Sequence, residues 1–343
     1  MRNALLPAGL LLALGISSLH AQTQRSLLVL SKHDHTLSVV DPSTLQVTAK
    51  VPVGNDPHEV IASTDGTTAY VSNYGFGAYN TLTVVDLTTA KSLGTIDLGA
   101  LRGPHGLAFA DGKVWFTSEV AKAVGRYDPA THTIDLILGT GQNRIHMINV
   151  SADTQHIVAT NVNSGTVSLL DKEIVHAPMG PPPGAGGPPP PMPRTDWNQT
   201  VVPVGHGSEG FDISPDRKEI WVANAQDGTV SIIDYASKKV VQTLTANVSH
   251  ANRLKFTPDG KRVLISAGPD LVILDAATRA EVKRMTIGHG GSGILVQPDG
   301  ARAFVSCSPD NYVAVIDLHT LEVIGHLQAG GEPDGLAWAI RSR

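Results

Sequence analysis

One cysteine in 343 residues excludes a disulfide framework within the chain. Charge is scarce as well: Asp, Glu, Lys and Arg make up 17% of the residues, and aromatic side chains only 5%. A helical bundle or coiled coil needs long runs of Ala, Glu, Lys and Leu, which leaves no room for 34 Gly and 22 Pro. Disorder is excluded in turn, because 41% of the residues are hydrophobic. No stripe of Lys and Arg occurs and the formal charge is −5, so a nucleic-acid partner is not expected. No apolar run reaches the roughly 20 residues of a membrane span. The apolar stretch Ala4 to Ile16 follows Arg2 and precedes Ser17-Ser18-Leu19-His20-Ala21. That order predicts a cleaved signal peptide over residues 1–21 and export to the periplasm or beyond, where the chain is expected to act as a monomer.

What the sequence does contain is repetition. A short β-branched run closing on Asp recurs at Asp41, Asp86, Asp128, Asp171, Asp234, Asp275 and Asp317, at intervals of 41 to 45 residues except for one of 63. The long interval holds a Pro/Gly-rich stretch, residues 178–193, which reads as a loop insert in extended conformation. Each copy reads as four short strands. Turns such as Thr64-Asp65-Gly66, Pro258-Asp259-Gly260 and Asp41-Pro42-Ser43-Thr44 separate them. No window keeps a 3.6-residue apolar period long enough for a helix. Four strands in 40 to 45 residues is the dimension of a propeller blade. The spacing therefore predicts an all-β, seven-bladed β-propeller of four-stranded antiparallel blades over residues 22–343. The chain begins and ends in mid-repeat, so strands from both termini, one of them Asp334 to Ile340, are expected to complete one blade and seal the ring.

Tyr70-Val71-Ser72-Asn73 with Thr81 to Asp86, and Trp221-Val222-Ala223-Asn224 with Asp227 to Asp234, resemble the YVTN β-propeller repeat family. The resemblance covers the mature chain and implies the same fold. Similar repeats occur in surface-layer proteins, periplasmic binding proteins, lactonases and haem-handling proteins, so it leaves the activity open.

In a propeller, the residue at which each first strand begins faces the central channel at one rim. The seven residues at that position are His58, His105, His146, Glu209, Asn252, Ser292 and Asp334, at the blade period. All are polar, and three on consecutive repeats are His, although the whole chain has only 14. Three imidazoles and a carboxylate suit a divalent transition metal, whether Zn, Cu, Fe or Mn. On this reading His58, His105 and His146 are ligands, and Glu209 is a fourth ligand or a general base. Asp334 and Asn252 orient a substrate, joined by Ser292. His206, His250 and His289, in loops on the same rim, and Arg102 and Arg144, beside the ring, complete a substrate-binding set. His33 and His35 open on that face too.

A hydrogen-bonded funnel without metal and a plain wet channel mouth account for the polarity as well. Cys307, in the slot of Asn73, Asn161 and Asn224, reads as a packed residue; Glu119 and Lys32 are assigned to that slot as candidate funnel-lining charges. His206 to Gly210 superficially matches a nucleophile elbow, but that motif needs a strand–turn–helix. The expected function is a metal-dependent enzyme acting on a small substrate, by lactone or ester hydrolysis or by a lyase step. The alternative is a non-catalytic binding protein for a metal, cofactor, small ligand or protein.

Overall fold

The third strand of most repeats is buried almost from end to end, with only its first and last residues partly exposed in Thr36–Asp41, Thr229–Asp234 and Tyr312–Asp317. The fourth strands differ. Thr133–Gly139 alternates exposed and half-buried residues, and Lys91–Asp97 is mostly exposed. A sheet covered on both faces at its middle and wet at its outer edge produces this contrast, which explains why the sequence signal is an unbroken Val/Ile/Leu run followed by a weaker alternating one.

The computed structural model describes residues 23–175 and 194–342. The expected signal peptide and the 178–193 insert lie outside the described residues. The described residues form seven four-stranded antiparallel sheets. Counted from the first complete one, the innermost strands of blades 1 to 6 are Pro57–Ala62, Pro104–Ala110, Ile145–Val150, Ser208–Ile213, Ala251–Phe256 and Gly291–Val296. Blade 7 joins both ends of the chain: Pro333–Ser342 is its innermost strand and pairs antiparallel with Thr23–Ser31, followed by Thr36–Asp41 and Gln46–Pro52. The expected seven blades and the closure by both termini are thus present. Helix is confined, among the described residues, to two single 3-10 turns, Gly75–Gly77 and Ser308–Asp310. No helix there is long and apolar enough to cross a membrane.

Apolar packing is divided among the gaps between blades. Leu28, Leu37, Val60, Val71 and Val85 fill the one between blades 7 and 1; Leu27, Val29, Phe304, Val313 and Val315 fill the one between blades 6 and 7. Each of the seven gaps has such a cluster.

Toward the axis, every innermost strand carries a bulge against its neighbour. In blade 1, Pro57 pairs with Asn73 and Val60 with Val71, so His58 and Glu59 share a single partner. The same shift recurs in all the other blades. A bulge leaves backbone groups without ladder partners and re-aims a side chain. Hydroxyls on the second strands take up those groups. Thr117 Oγ1 donates to His146 O of the next blade and accepts from Gly106 N; Ser266 does the same with Ser292 O and Arg253 N. Each bulge coincides with one of the seven ring residues, and this is what turns them toward the channel.

Candidate functional site

Five of the seven ring residues form one continuous arc over blades 7, 1, 2, 3 and 4. Asp334 Oδ2 lies 3.2 Å from His58 Nδ1. The His58 ring meets His105 at a centroid distance of 5.1 Å, and His105 meets His146 at 3.8 Å. His146 Nε2 lies 2.9 Å from Glu209 Oε1. Two further side chains join from the loop between second and third strands. Glu119 Oε1 accepts from His146 Nδ1 at 2.6 Å, and Tyr74 Oη donates to Glu119 Oε2 at 2.5 Å. His105, Glu119, His146 and Asp334 are all buried.

Burial makes these contacts strong, and it shifts the titrations. Burial, reinforced by the charges of His146 and His58, holds His105 well below the usual imidazole range. Burial opposes charge on His58, but the neighbouring carboxylates of Asp334 and Asp56 outweigh it and hold its pKa up at about 9. His146 is raised against its own burial by Glu209 and Glu119. Desolvation opposes charge on Glu209, but the charge of His146 beside it, then that of Arg144, overcomes this and lowers its pKa to about 2. Asp334 is held below the usual carboxylate range by His58 and Lys32, whose Nζ stands 3.3 Å away.

A metal fits this donor set. His105, Glu119 and His146 each offer a ligand atom, and those atoms lie within 4.8 Å of one another. Three buried ring nitrogens lack a hydrogen-bond partner: His58 Nε2, His105 Nδ1 and His146 Nε2. The 2.9 Å approach of His146 Nε2 to Glu209 and the 3.3 Å approach of His58 Nε2 to Asp56 are close but not aligned for a hydrogen bond. Two imidazoles and one carboxylate leave coordination positions open, as in catalytic rather than structural sites. Of the four expected ligands, the cluster contains His105 and His146. Glu119 stands in it beside them, Glu209 lies behind His146, and His58 is turned to Asp334 and Asp56.

The other expected site residues divide. Asn252 and Ser292 occupy ring positions, Asn252 Oδ1 accepting from Arg253 at 2.9 Å and Ser292 Oγ lying 3.1 Å from Ser308 Oγ. Arg144 spans Glu119 and Glu209 at 3.5 and 3.7 Å. His206, His250, His289 and Arg102 are exposed on the rim. His206 and His289 pair there with Asp227 and Asp310. His33 and His35 are exposed as well.

One assignment is corrected by register. Cys307 pairs with Gly291 just as Asn73 pairs with Pro57, but the residues in that slot of blades 2 and 7 are Ser118 and Ser31. Glu119 and Lys32 stand one residue beyond, which turns them to the channel. Cys307 is buried, and burial pushes its thiol up to about 11.

The sequence reading missed Tyr74 and Phe76. They stand on residues 74–80, a loop longer than any corresponding loop in the other six blades. Tyr74, Phe76 and Tyr79 crowd into it in a chain only 5% aromatic, and that was the available signal. Phe76 is 88% exposed with φ 49° and ψ 38°, left-handed backbone that is costly for a bulky side chain, on the order of 1–3 kcal/mol.

No family model and no curated protein sequence matches the chain. Solved structures do. A functionally unknown protein from Desulfotomaculum acetoxidans superposes with a TM-score of 0.72 at 13% identity, over 92% of this chain and 98% of that one. Hydrazine synthase of Kuenenia stuttgartiensis gives 0.67 at 19% identity, over 85% and 92%. A candidate 6-phosphogluconolactonase from Bacteroides uniformis gives 0.68 at 16% identity, over 92% and 99%. At such identities the likeness is one of fold, a seven-bladed propeller with lactonase-like structural neighbours.

Proposed function

We propose that the protein is a metal-dependent enzyme of the exported YVTN-repeat type, acting on a small carbonyl substrate by lactone or ester hydrolysis or by a lyase step. One observation carries this reading: two buried imidazoles and a buried carboxylate bring ligand atoms within 4.8 Å of one another at the channel mouth. His105, His146 and Glu119 would hold the ion. A divalent transition metal there supplies a Lewis acid for a carbonyl oxygen. The chain's own residues do the rest. Tyr74 fixes the Glu119 carboxylate by its hydrogen bond, and Glu209 orients His146. Asp334 and Lys32 hold the outer side of His58, so that its ring faces the site at a fixed angle.

Elemental analysis of the purified mature protein should find close to one equivalent of zinc, copper, iron or manganese. Glu119→Gln and His105→Ala should each lower affinity at least tenfold, while His319→Ala on an outer turn should not. Protein that stays metal-free after incubation with all four ions would sink the reading. A non-catalytic binding protein is the second reading, favoured by the exposed Phe76 at the mouth; a metal-loaded protein that binds but never turns over a panel of lactones and esters would establish it. Amino-terminal sequencing of exported protein, expected to begin near Gln22, tests the signal peptide.

A further inference from the structure

The 74–80 loop breaks the blade pattern. Most of the left-handed non-glycine residues recur at matching places. Asp56, Arg144, His250 and Glu332 each stand two residues before a ring position, and Leu45, Ala90, His132, Lys238, Arg279 and Leu321 each stand four after a repeating Asp. Phe76 belongs to neither series. It combines strained backbone with nearly complete exposure of an aromatic ring, and an outlier of that kind points to a contact with something else. Its ring stands 6.5 Å from His58 and 5.8 Å from Tyr74.

Phe76 overhangs a groove of about 360 Å³ that leads to Glu119. Val120, 52% exposed, is an apolar side chain in the same lining. Lys122, Asn143 and Arg144 line the polar wall. Arg144 is ion-paired with Glu119 and Glu209 at 3.5 and 3.7 Å, longer than hydrogen bonds, so a planar anion entering the groove can compete for its N–H donors. The lining has two cationic side chains and one carboxylate, Glu119, which suits a single negative charge better than a doubly charged one.

The geometry points to a subsite for a monoanionic carboxylate bearing a flat apolar group. The carboxylate lies on Arg144, the flat group against Phe76 and Val120, and the reacting end toward Glu119 and His146. The last clause rests on the proposed function; the binding does not, because neither Arg144 nor Phe76 is a metal ligand.

Calorimetric titration of the mature protein with phenylacetate, acetate, benzyl alcohol and inorganic phosphate, in EDTA and again with zinc, tests the subsite. Phenylacetate is expected to bind at least tenfold more tightly than benzyl alcohol, since a charge-assisted hydrogen bond is worth about a factor of ten or more. Phe76→Ala should weaken phenylacetate about threefold to tenfold and leave acetate unchanged. Arg144→Gln should weaken both at least tenfold while circular dichroism stays native. Absence of phenylacetate binding, equal binding of benzyl alcohol, tighter binding of phosphate, or an Arg144→Gln variant that binds like the wild type overturns the proposal. Zinc uptake without phenylacetate binding would remove the subsite alone; phenylacetate binding in protein unable to take up zinc would remove the metal reading alone.

Discussion

Arg253 is a buried charge, a guanidinium 5% exposed inside the channel. It bonds Glu59 of blade 1 from blade 5, across the ring, and its Nη1 donates to Asn252 Oδ1 at 2.9 Å and to Asn252 O at 3.1 Å. A buried pair of this kind is no proof of stability, because desolvation offsets most of the attraction. Breaking it is another matter. Glu59→Gln should cost about 3–5 kcal/mol in chemical denaturation, since the guanidinium keeps its burial and loses its partner. Replacing Glu59 by Met and Arg253 by Leu together should recover most of that. A Glu59→Gln variant within about 1 kcal/mol of wild type would mean that Asp334 and Glu209, which also act on Arg253, suffice to compensate it. The ring residues were readable in the sequence because the blade period marks them. Tyr74 was not, and Glu119 was read as a funnel-lining charge but one residue off, in the strand-end slot that Ser118 holds. They sit one residue past a strand end, and only the return of that loop over the neighbouring blade brings them to His146 and His105.

At the scale of the strand, the bulge demands space as well as hydrogen bonds. Gly106, Gly210, Gly293 and Gly335 each follow a ring residue, and a Cβ on Gly106 would fall 2.4 Å from His146 O. The clash is with backbone of the next blade, which cannot swing aside. Gly106→Ala should therefore destabilise by about 1–3 kcal/mol, the range of an overpacked core. Gly139, on an outer strand with nothing within 4 Å of such a Cβ, is the control: Gly139→Ala should be neutral or slightly stabilising. Equal melting temperatures for the two variants would contradict the close approach of the inner strands. The outer strands were legible only as a weak alternation, and the inner ones chiefly through the blade period. Their bulges, glycines and hydroxyl partners are a matter of how one blade meets the next, which no single repeat encodes visibly.

Over the whole ring, carboxylates repeat in two turns. Asp41, Asp86, Asp128, Asp171, Asp234, Asp275 and Asp317 are all held below the usual range. Hydroxyl and amide hydrogens of the following turn are the chief cause in five of them; Asp128 owes it first to Lys113, and Asp171 to Lys238 against its own burial. Asp65, Asp153, Asp216, Asp259 and Asp299 are depressed in the same way. A carboxyl whose folded pKa is depressed adds stability above its unfolded value, near 3.9, and loses it as pH falls toward the folded value. Melting temperature should hold roughly level down to about pH 5 and fall steeply below about pH 4. A melt at pH 3 matching that at pH 7 would show that these turns do not couple to folding. Charge repeated in this manner was the clearest feature of the sequence, and it was legible because a turn needs its Asp whatever the blade faces.

The bulges carry one more consequence. Around the mouth, Thr117, Thr160, Ser266 and Ser306 hold the carbonyls of His146, Glu209, Ser292 and Asp334, so at these positions backbone stability does not depend on which side chain the bulge presents. Natural variation can then rewrite these sites one at a time, trading an imidazole for an amide or a carboxylate, while the ring beneath stays the same. A scaffold of this kind changes its chemistry by substitution alone, with no insertion and no refolding, and its descendants would diverge in activity long before they diverged in shape.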